Sequence, residues 1–178
     1  MSVPSVRLST VKSHAVIRGG QPDEKGLIRG VVVRPLNVLP DDRGHFAEIL
    51  RASEPIAAGF EVRQASLTRT RAGVIKAFHY HERQDDIFCP IAGTARIVLV
   101  DFREGSETRG FANSIFAGAL YPKAVRIPAG VAHGYEVLPG DDLLLVYFTN
   151  REYDADDEHR APHDDPRIGF SEWGIRNR

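Results

Sequence analysis

The chain has one cysteine, one tryptophan and one methionine, the last of these its first residue. A lone Cys89 excludes any internal disulfide, which fits a reducing compartment such as the cytosol. Cys89 sits in the apolar run Ile87-Phe88-Cys89, where a thiol is expected to be buried and inert rather than nucleophilic. An excess of one charge is also missing. With 23 Lys and Arg against 24 Asp and Glu, the net charge of -1 gives no global pull toward nucleic acid or anionic membrane. Long apolar runs are absent: the longest, residues 143–148, is too short to span a bilayer. The first twenty residues lack an apolar core, so no secretory signal is expected. No window sustains a helical apolar period, and there is neither an internal repeat nor a low-complexity tract.

What is present is a series of short β-rich runs separated by turn signals. The runs fall at 30–38, 45–50, 61–70, 74–81, 87–91, 95–101, 124–127, 134–137 and 143–149. Between them stand Pro40-Asp41-Asp42-Arg43-Gly44, Ala92-Gly93-Thr94, Arg103-Glu104-Gly105-Ser106 and Pro139-Gly140-Asp141-Asp142. Strands at this spacing predict an all-β sandwich or barrel. A length of 178 residues suits one domain, taken as 26–178, preceded by a polar arm over 1–25 that ends in Gly19-Gly20-Gln21-Pro22. The charged stretch 154–165 closes with Ile168, Phe170 and Trp173, apolar anchors expected to pack back on the body.

Two segments carry the chemistry. Gly73-Val74-Ile75-Lys76-Ala77-Phe78-His79-Tyr80-His81 and Pro128-Ala129-Gly130-Val131-Ala132-His133 each deliver histidine at the end of a strand-like run. Alternation puts His79 and His81 on one face and Tyr80 on the other. Inward histidines from two strands of a closed β-structure would line its cavity, the jelly-roll or cupin arrangement. The imidazoles then either bind a metal or move protons.

The strings Asp41-Asp42-Arg43-Gly44-His45-Phe46-Ala47-Glu48, Gly73-Val74-Ile75-Lys76-Ala77-Phe78-His79-Tyr80, Asp101-Phe102-Arg103-Glu104-Gly105-Ser106 and Ile127-Pro128-Ala129-Gly130-Val131-Ala132-His133-Gly134 resemble one cupin family in order. Tyr147 and Tyr153, six residues apart, and Asp164-Asp165-Pro166 complete the likeness, from about residue 30 to 173. The family is the dTDP-4-dehydrorhamnose 3,5-epimerases of deoxysugar biosynthesis. The resemblance implies epimerisation at carbon 3 and/or 5 of a nucleotide-linked 4-keto-6-deoxy hexose, with no cofactor and no metal. It implies His79 as base, Asp165 as the carboxylate orienting it, and Tyr147 as the acid that reprotonates. Histidine suits the first role because its pKa lies near neutrality. Substrate contacts carry over to Arg43, Phe46, Glu48, Gln64, Lys76, His133 and Tyr153. The strand bearing Phe46 and Glu48 would reach a neighbouring subunit, which implies a homodimer; no nucleic acid or membrane partner is expected.

The chain departs from that pattern at several points. Lys76-Ala77 replaces the family's arginine and glycine, and strand parity turns Lys76 away from His79 unless a bulge intervenes. Ser66 replaces an asparagine, and Trp173-Gly174 replaces a common Trp-Pro. Asp86 stands where the family has a lysine expected to stabilise the developing enolate oxygen. His79, His81, Asp86 and Gly93, with Pro128-Ala129-Gly130-Val131-Ala132-His133, also resemble the two metal motifs of cupins, with aspartate in place of glutamate. A metal-dependent cupin using His79, His81, Asp86 and His133, a sugar-nucleotide 3,4-ketoisomerase and a non-catalytic sugar-nucleotide binder therefore stand as alternatives.

Overall fold

Residues 94–101 show how the chain folds. Ile97 and Leu99 pack into one cluster and Val98 and Val100 into another, and all four are buried. A strand apolar on both faces belongs inside a layered structure. The computed structural model describes residues 11–18 and 26–174. In chain order its strands are β1 (Ser13–Ile17), β2 (Val32–Pro35), β3 (Val38–Asp41), β4 (Gly44–Ala47), β5 (Gln64–Thr70), β6 (Ile75–Tyr80) and β7 (Asp86–Ala92). There follow β8 (Thr94–Asp101), β9 (Phe111–Gly118), β10 (Lys123–Ile127), β11 (Val131–Val137), β12 (Leu143–Thr149) and β13 (His159–Arg160). One sheet runs β1-β9-β8-β11-β6-β13 and the other β2-β10-β7-β12-β5, while β3 and β4 form a separate hairpin. This is the all-β, cupin-type jelly roll expected from the sequence. Among the described residues no helix is long and apolar enough to cross a membrane.

Three apolar clusters hold the layers. Ile97, Leu99 and Ile115 of one sheet meet Val33, Phe88, Val125 and Leu145 of the other. The outer face of the first sheet carries Phe78, Tyr80, Val98 and Val100, covered by Ile168, Phe170 and Trp173, so the C-terminal anchors dock as expected. Phe78 and Ala161 exchange backbone hydrogen bonds of 2.6 and 2.9 Å, which seats that segment along β6. The outer face of the second sheet packs Ile87, Cys89 and Ala124 under Ile56 and Phe60. Cys89 is fully buried, and that burial pushes its thiol up to about 11.

β1 and β9 were not legible as strands. Asn113 and Ser114 interrupt the apolar pattern of β9, yet both are buried because they have partners. Asn113 Oδ1 accepts from the Ile28 N–H at 2.9 Å, and Ser114 Oγ bonds His14 Nε2 at 2.8 Å. β1 lies within the stretch read as a polar arm and pairs parallel to β9. Residues 1–10 and 19–25 of that arm, including its Gly-Gly-Gln-Pro end, and residues 175–178 lie outside the described residues. The Asp101-to-Ser106 string proves structural. Asp101 is fully buried and accepts from Arg103 Nε at 2.9 Å and from the Ser106 and Thr108 hydroxyls at 2.6 Å each. Burial raises its pKa, but these bonds outweigh burial and hold it below the usual carboxylate range.

One irregularity positions the site. β11 pairs β6 with His133 opposite His79 and Tyr135 opposite Lys76, so three steps on β6 match two on β11. Ala77 and Phe78 both pack against the outer cluster, and Lys76 turns to the same cavity as His79. Strand parity alone had Lys76 facing away; the bulge reverses it. Gly134 makes this approach possible, because a β-carbon there would lie 2.6 Å from Ala77 Cα.

Candidate active site

The two sheets enclose a cavity of about 760 Å³. His79, His81 and Lys76 enter from β6 and the turn after it, and Asp86 and Phe88 from β7. Tyr147 and Thr149 enter from β12, and Gln64 and Thr68 from β5. His79 and Tyr147 therefore project from opposite sheets. Tyr147 is held edge-on against Phe88, ring centroids 5.9 Å apart.

His79 is 33% exposed, toward this cavity, and its Nδ1 lies 3.7 Å from Glu158 Oε1. Its pKa is pushed down to about 4, first by burial and then by His133, against the pull of Glu158 and Asp86. Contact with His79 holds Glu158 down to about 2, although burial works the other way. Both directions give one state at neutral pH: a neutral imidazole beside an ionised carboxylate. The Nδ1–H can point at Glu158, which leaves the Nε2 lone pair for the cavity.

Behind His79 lie two more imidazoles. His81 donates its Nδ1–H to the Asp157 carbonyl at 2.8 Å, and His133 donates its Nδ1–H to the Val131 carbonyl at 3.0 Å. Their Nε2 atoms face Asp86 Oδ2 at 3.7 and 3.3 Å. Gln84 Nε2 donates to the other Asp86 oxygen at 2.9 Å. At the cavity mouth Gln64 bonds Ser66 Oγ through Nε2 at 3.0 Å and accepts the Tyr153 N–H at 3.0 Å.

The family profile described as dTDP-4-dehydrorhamnose 3,5-epimerase matches residues 25–177. The chain belongs to this family. The spore coat polysaccharide biosynthesis protein SpsL of Bacillus subtilis (strain 168) is 46% identical over 154 residues, covering 85% of this chain and 100% of that protein. The probable low-salt glycan biosynthesis epimerase Agl13 of Haloferax volcanii is 33% identical over 140 residues, 77% of this chain and 89% of that one. Among solved structures, NovW is a 4-keto-6-deoxy sugar epimerase from the novobiocin biosynthetic gene cluster of Streptomyces spheroides. It aligns with a TM-score of 0.77 at 25% identity, over 89% of this chain and 82% of its own.

For this member of the dTDP-4-dehydrorhamnose 3,5-epimerase family, several expected site residues gather and others do not. His79, Tyr147, Gln64, Lys76 and Tyr153 all line the one cavity. Asp165 does not reach it. Its carboxylate is taken by Arg167, whose Nε lies 2.9 Å from Oδ1, and it borders a different pocket with Phe170 and Trp173. The carboxylate beside His79 is Glu158 instead. His133, expected as a nucleotide contact, is 2% exposed with its Nε2 turned to Asp86, so it offers no free face to a nucleotide. Arg43 pairs with Asp41 and Glu48 with Arg51 on and beside the β3–β4 hairpin, where Phe46 is 63% exposed. Phe46 and Glu48 border a second pocket that shares no residue with the His79 cavity. Glu158 was missed because it sits in a charged run that reads as a solvated tail. Its only local signal is the two-residue strand β13, which pairs His159 with Tyr80 and Arg160 with His79.

Proposed function

We infer that the chain epimerises a nucleotide-linked 4-keto-6-deoxy hexose at carbon 3 and/or carbon 5. The observation that carries this reading is a neutral histidine and a tyrosine facing one cavity from opposite sheets. Inverting a carbon beside a ketone requires a proton to leave one face and another to arrive on the other. His79 Nε2 takes the proton, and the carbon–hydrogen electron pair moves into the enolate, ending on the keto oxygen. Glu158 steadies the imidazolium that forms at Nδ1, as an acceptor carboxylate does in other imidazole bases. Tyr147 returns a proton from the opposite wall and recovers one from solvent. Lys76 brings positive charge to the cavity, and Gln64 and Tyr153 at its mouth suit the nucleotide.

Arg43, Phe46 and Glu48 do not line this cavity. An exposed aromatic on a projecting hairpin suits insertion into a second copy, so the reading includes a homodimer in which the hairpin completes the partner's site. The test is proton NMR in deuterated water with nucleotide-linked 4-keto-6-deoxy sugars. Deuterium should enter at carbon 3, carbon 5 or both, and His79→Ala should abolish entry while keeping the β circular dichroism spectrum. Uptake at wild-type rates in His79→Ala would refute the assignment.

A further inference from the structure

The carboxylate beside His79 is rooted in fixed backbone. Just before it, the Asp157 side chain accepts the Glu82 and Arg83 N–H groups at 2.9 and 3.3 Å. Just after it, β13 pairs His159 with Tyr80 and Arg160 with His79, and Ala161 exchanges backbone bonds with Phe78. Residues directly opposite across two strands share a face. His159 accordingly stacks on Tyr80 away from the cavity, ring centroids 4.8 Å apart, while Arg160 lines the cavity with His79. Extended chain turns every second side chain the same way, so Glu158 enters the cavity beside Arg160. The backbone thus fixes where Glu158 starts, and the side-chain torsions are left to decide where its oxygens end. Holding a glutamate in one rotamer costs entropy, so a contact must do it.

Arg160 makes that contact. Its Nε donates to Glu158 Oε1 at 3.0 Å. The same oxygen lies 3.7 Å from His79 Nδ1, outside normal hydrogen-bond length. Oε2 faces His81 Nε2 at 3.9 Å, but that ring gives its N–H to the Asp157 carbonyl. Among the described residues, Arg160 is therefore the one donor within hydrogen-bond distance of Glu158, whose side chain is only 16% exposed. A largely covered carboxylate with a single charged donor takes its direction from that donor. We propose that Arg160 is a positioning residue: its guanidinium holds Glu158 Oε1 toward the Nδ1 side of His79, and through Glu158 it sets which nitrogen of that ring carries the proton. Arg160 takes no part in the proton transfer itself. Its effect on turnover rests on the epimerase reading, whereas its effect on the His79 ring does not.

The test uses the full-length chain. Long-range nitrogen–proton NMR at alkaline pH, without substrate, reads the tautomer of His79. Wild type should show the Nδ1–H form. Arg160→Gln should shift the tautomer ratio toward Nε2–H by about two- to fivefold, the effect of an exposed ion pair. An unmoved ratio overturns the proposal. Deuterium uptake is then measured with nucleotide-linked 4-keto-6-deoxy sugars. Arg160→Gln should lower kcat about two- to fivefold and leave KM unchanged. Arg160→Lys keeps a charged donor and should recover roughly half of the loss or more. In a Glu158→Gln background, adding Arg160→Gln should change nothing further; losses that multiply overturn the route through Glu158. A raised KM at unchanged kcat would assign the guanidinium to an anionic group of the substrate and overturn the positioning role. A shifted tautomer ratio in a protein that exchanges no deuterium would support the hold on His79 and defeat the epimerase reading alone, so the two failures are distinguishable.

Discussion

Glu158→Gln isolates the contact that sequence reasoning assigned to Asp165. The carboxylate lies 3.7 Å from His79 Nδ1, with the two side chains 33% and 16% exposed. Opposite unit charges at about 4 Å interact by about 1 kcal/mol in water and about 4 kcal/mol at an effective dielectric of 20. A partly open pair falls between, about 1–3 kcal/mol. If roughly half the imidazolium charge has formed at the transition state, the carboxylate contributes about 0.5–1.5 kcal/mol to the barrier, a factor of roughly 2 to 13 in rate. Glu158→Gln should therefore slow deuterium uptake at saturating substrate by that factor. Asp165→Asn should change it less than about twofold, because its carboxylate belongs to Arg167 and a separate pocket. The assay is initial deuterium incorporation by NMR, with circular dichroism melts to confirm folding of both variants. A thousandfold loss in Asp165→Asn beside a silent Glu158→Gln would refute this assignment of the orienting carboxylate.

The His79 ring resonances should stay those of a neutral imidazole down to about pH 4. His133 and His81 push that value down while Glu158 and Asp86 pull it up, and burial is the largest cause. Because this folded value lies below the unfolded one, the unfolded chain takes the proton first. The stability due to neutral His79 is thus present above about pH 6.5 and lost as pH falls toward 4; a midpoint at or above 6.5 would contradict the burial argument. Gly134→Ala should lower stability by about 1–3 kcal/mol through collision with Ala77, which for a chain of this size is a drop of several degrees in melting temperature. An unchanged melt would mean that β6 and β11 are not packed this closely.

The strands with apolar runs between turn signals were legible, and those whose polarity is settled by distant partners were not. Residues 143–149 and 95–101 announce themselves by near-continuous apolar runs and flanking turns, and the structure places β12 and β8 there. β9 hides because Asn113 and Ser114 find their partners in Ile28 and His14, some 85 and 100 residues away along the chain. No local pattern encodes such pairing. Parity correctly gave His79 and His81 one face and sent Tyr80 to the outer cluster. It failed at Lys76, because a bulge depends on how β6 meets β11, and Gly134 is the only local trace of that approach. Glu158 failed for a similar reason: β13 takes its place only after β6 exists to pair with it.

The departures from the family pattern are easier to understand in space than in sequence. Singly, Asp86 for lysine removes an electrophile and Ser66 is a shortened contact. In the fold they are not scattered. Asp86 and His81 meet His133 at one point behind His79. Ser66 lies opposite Tyr147 on the adjacent strand, where it anchors the Gln64 that in turn receives the Tyr153 backbone. A lysine at 86 would set one ammonium against two imidazole lone pairs and leave the cavity its cation. An aspartate there, with the same two lone pairs, leaves a cluster of acceptors that only a proton or a metal ion reconciles. The substitution that looks damaging for an epimerase when read alone is therefore coherent once His81 is read with it: one carboxylate oxygen of Asp86 faces the Nε2 atoms of both rings behind His79.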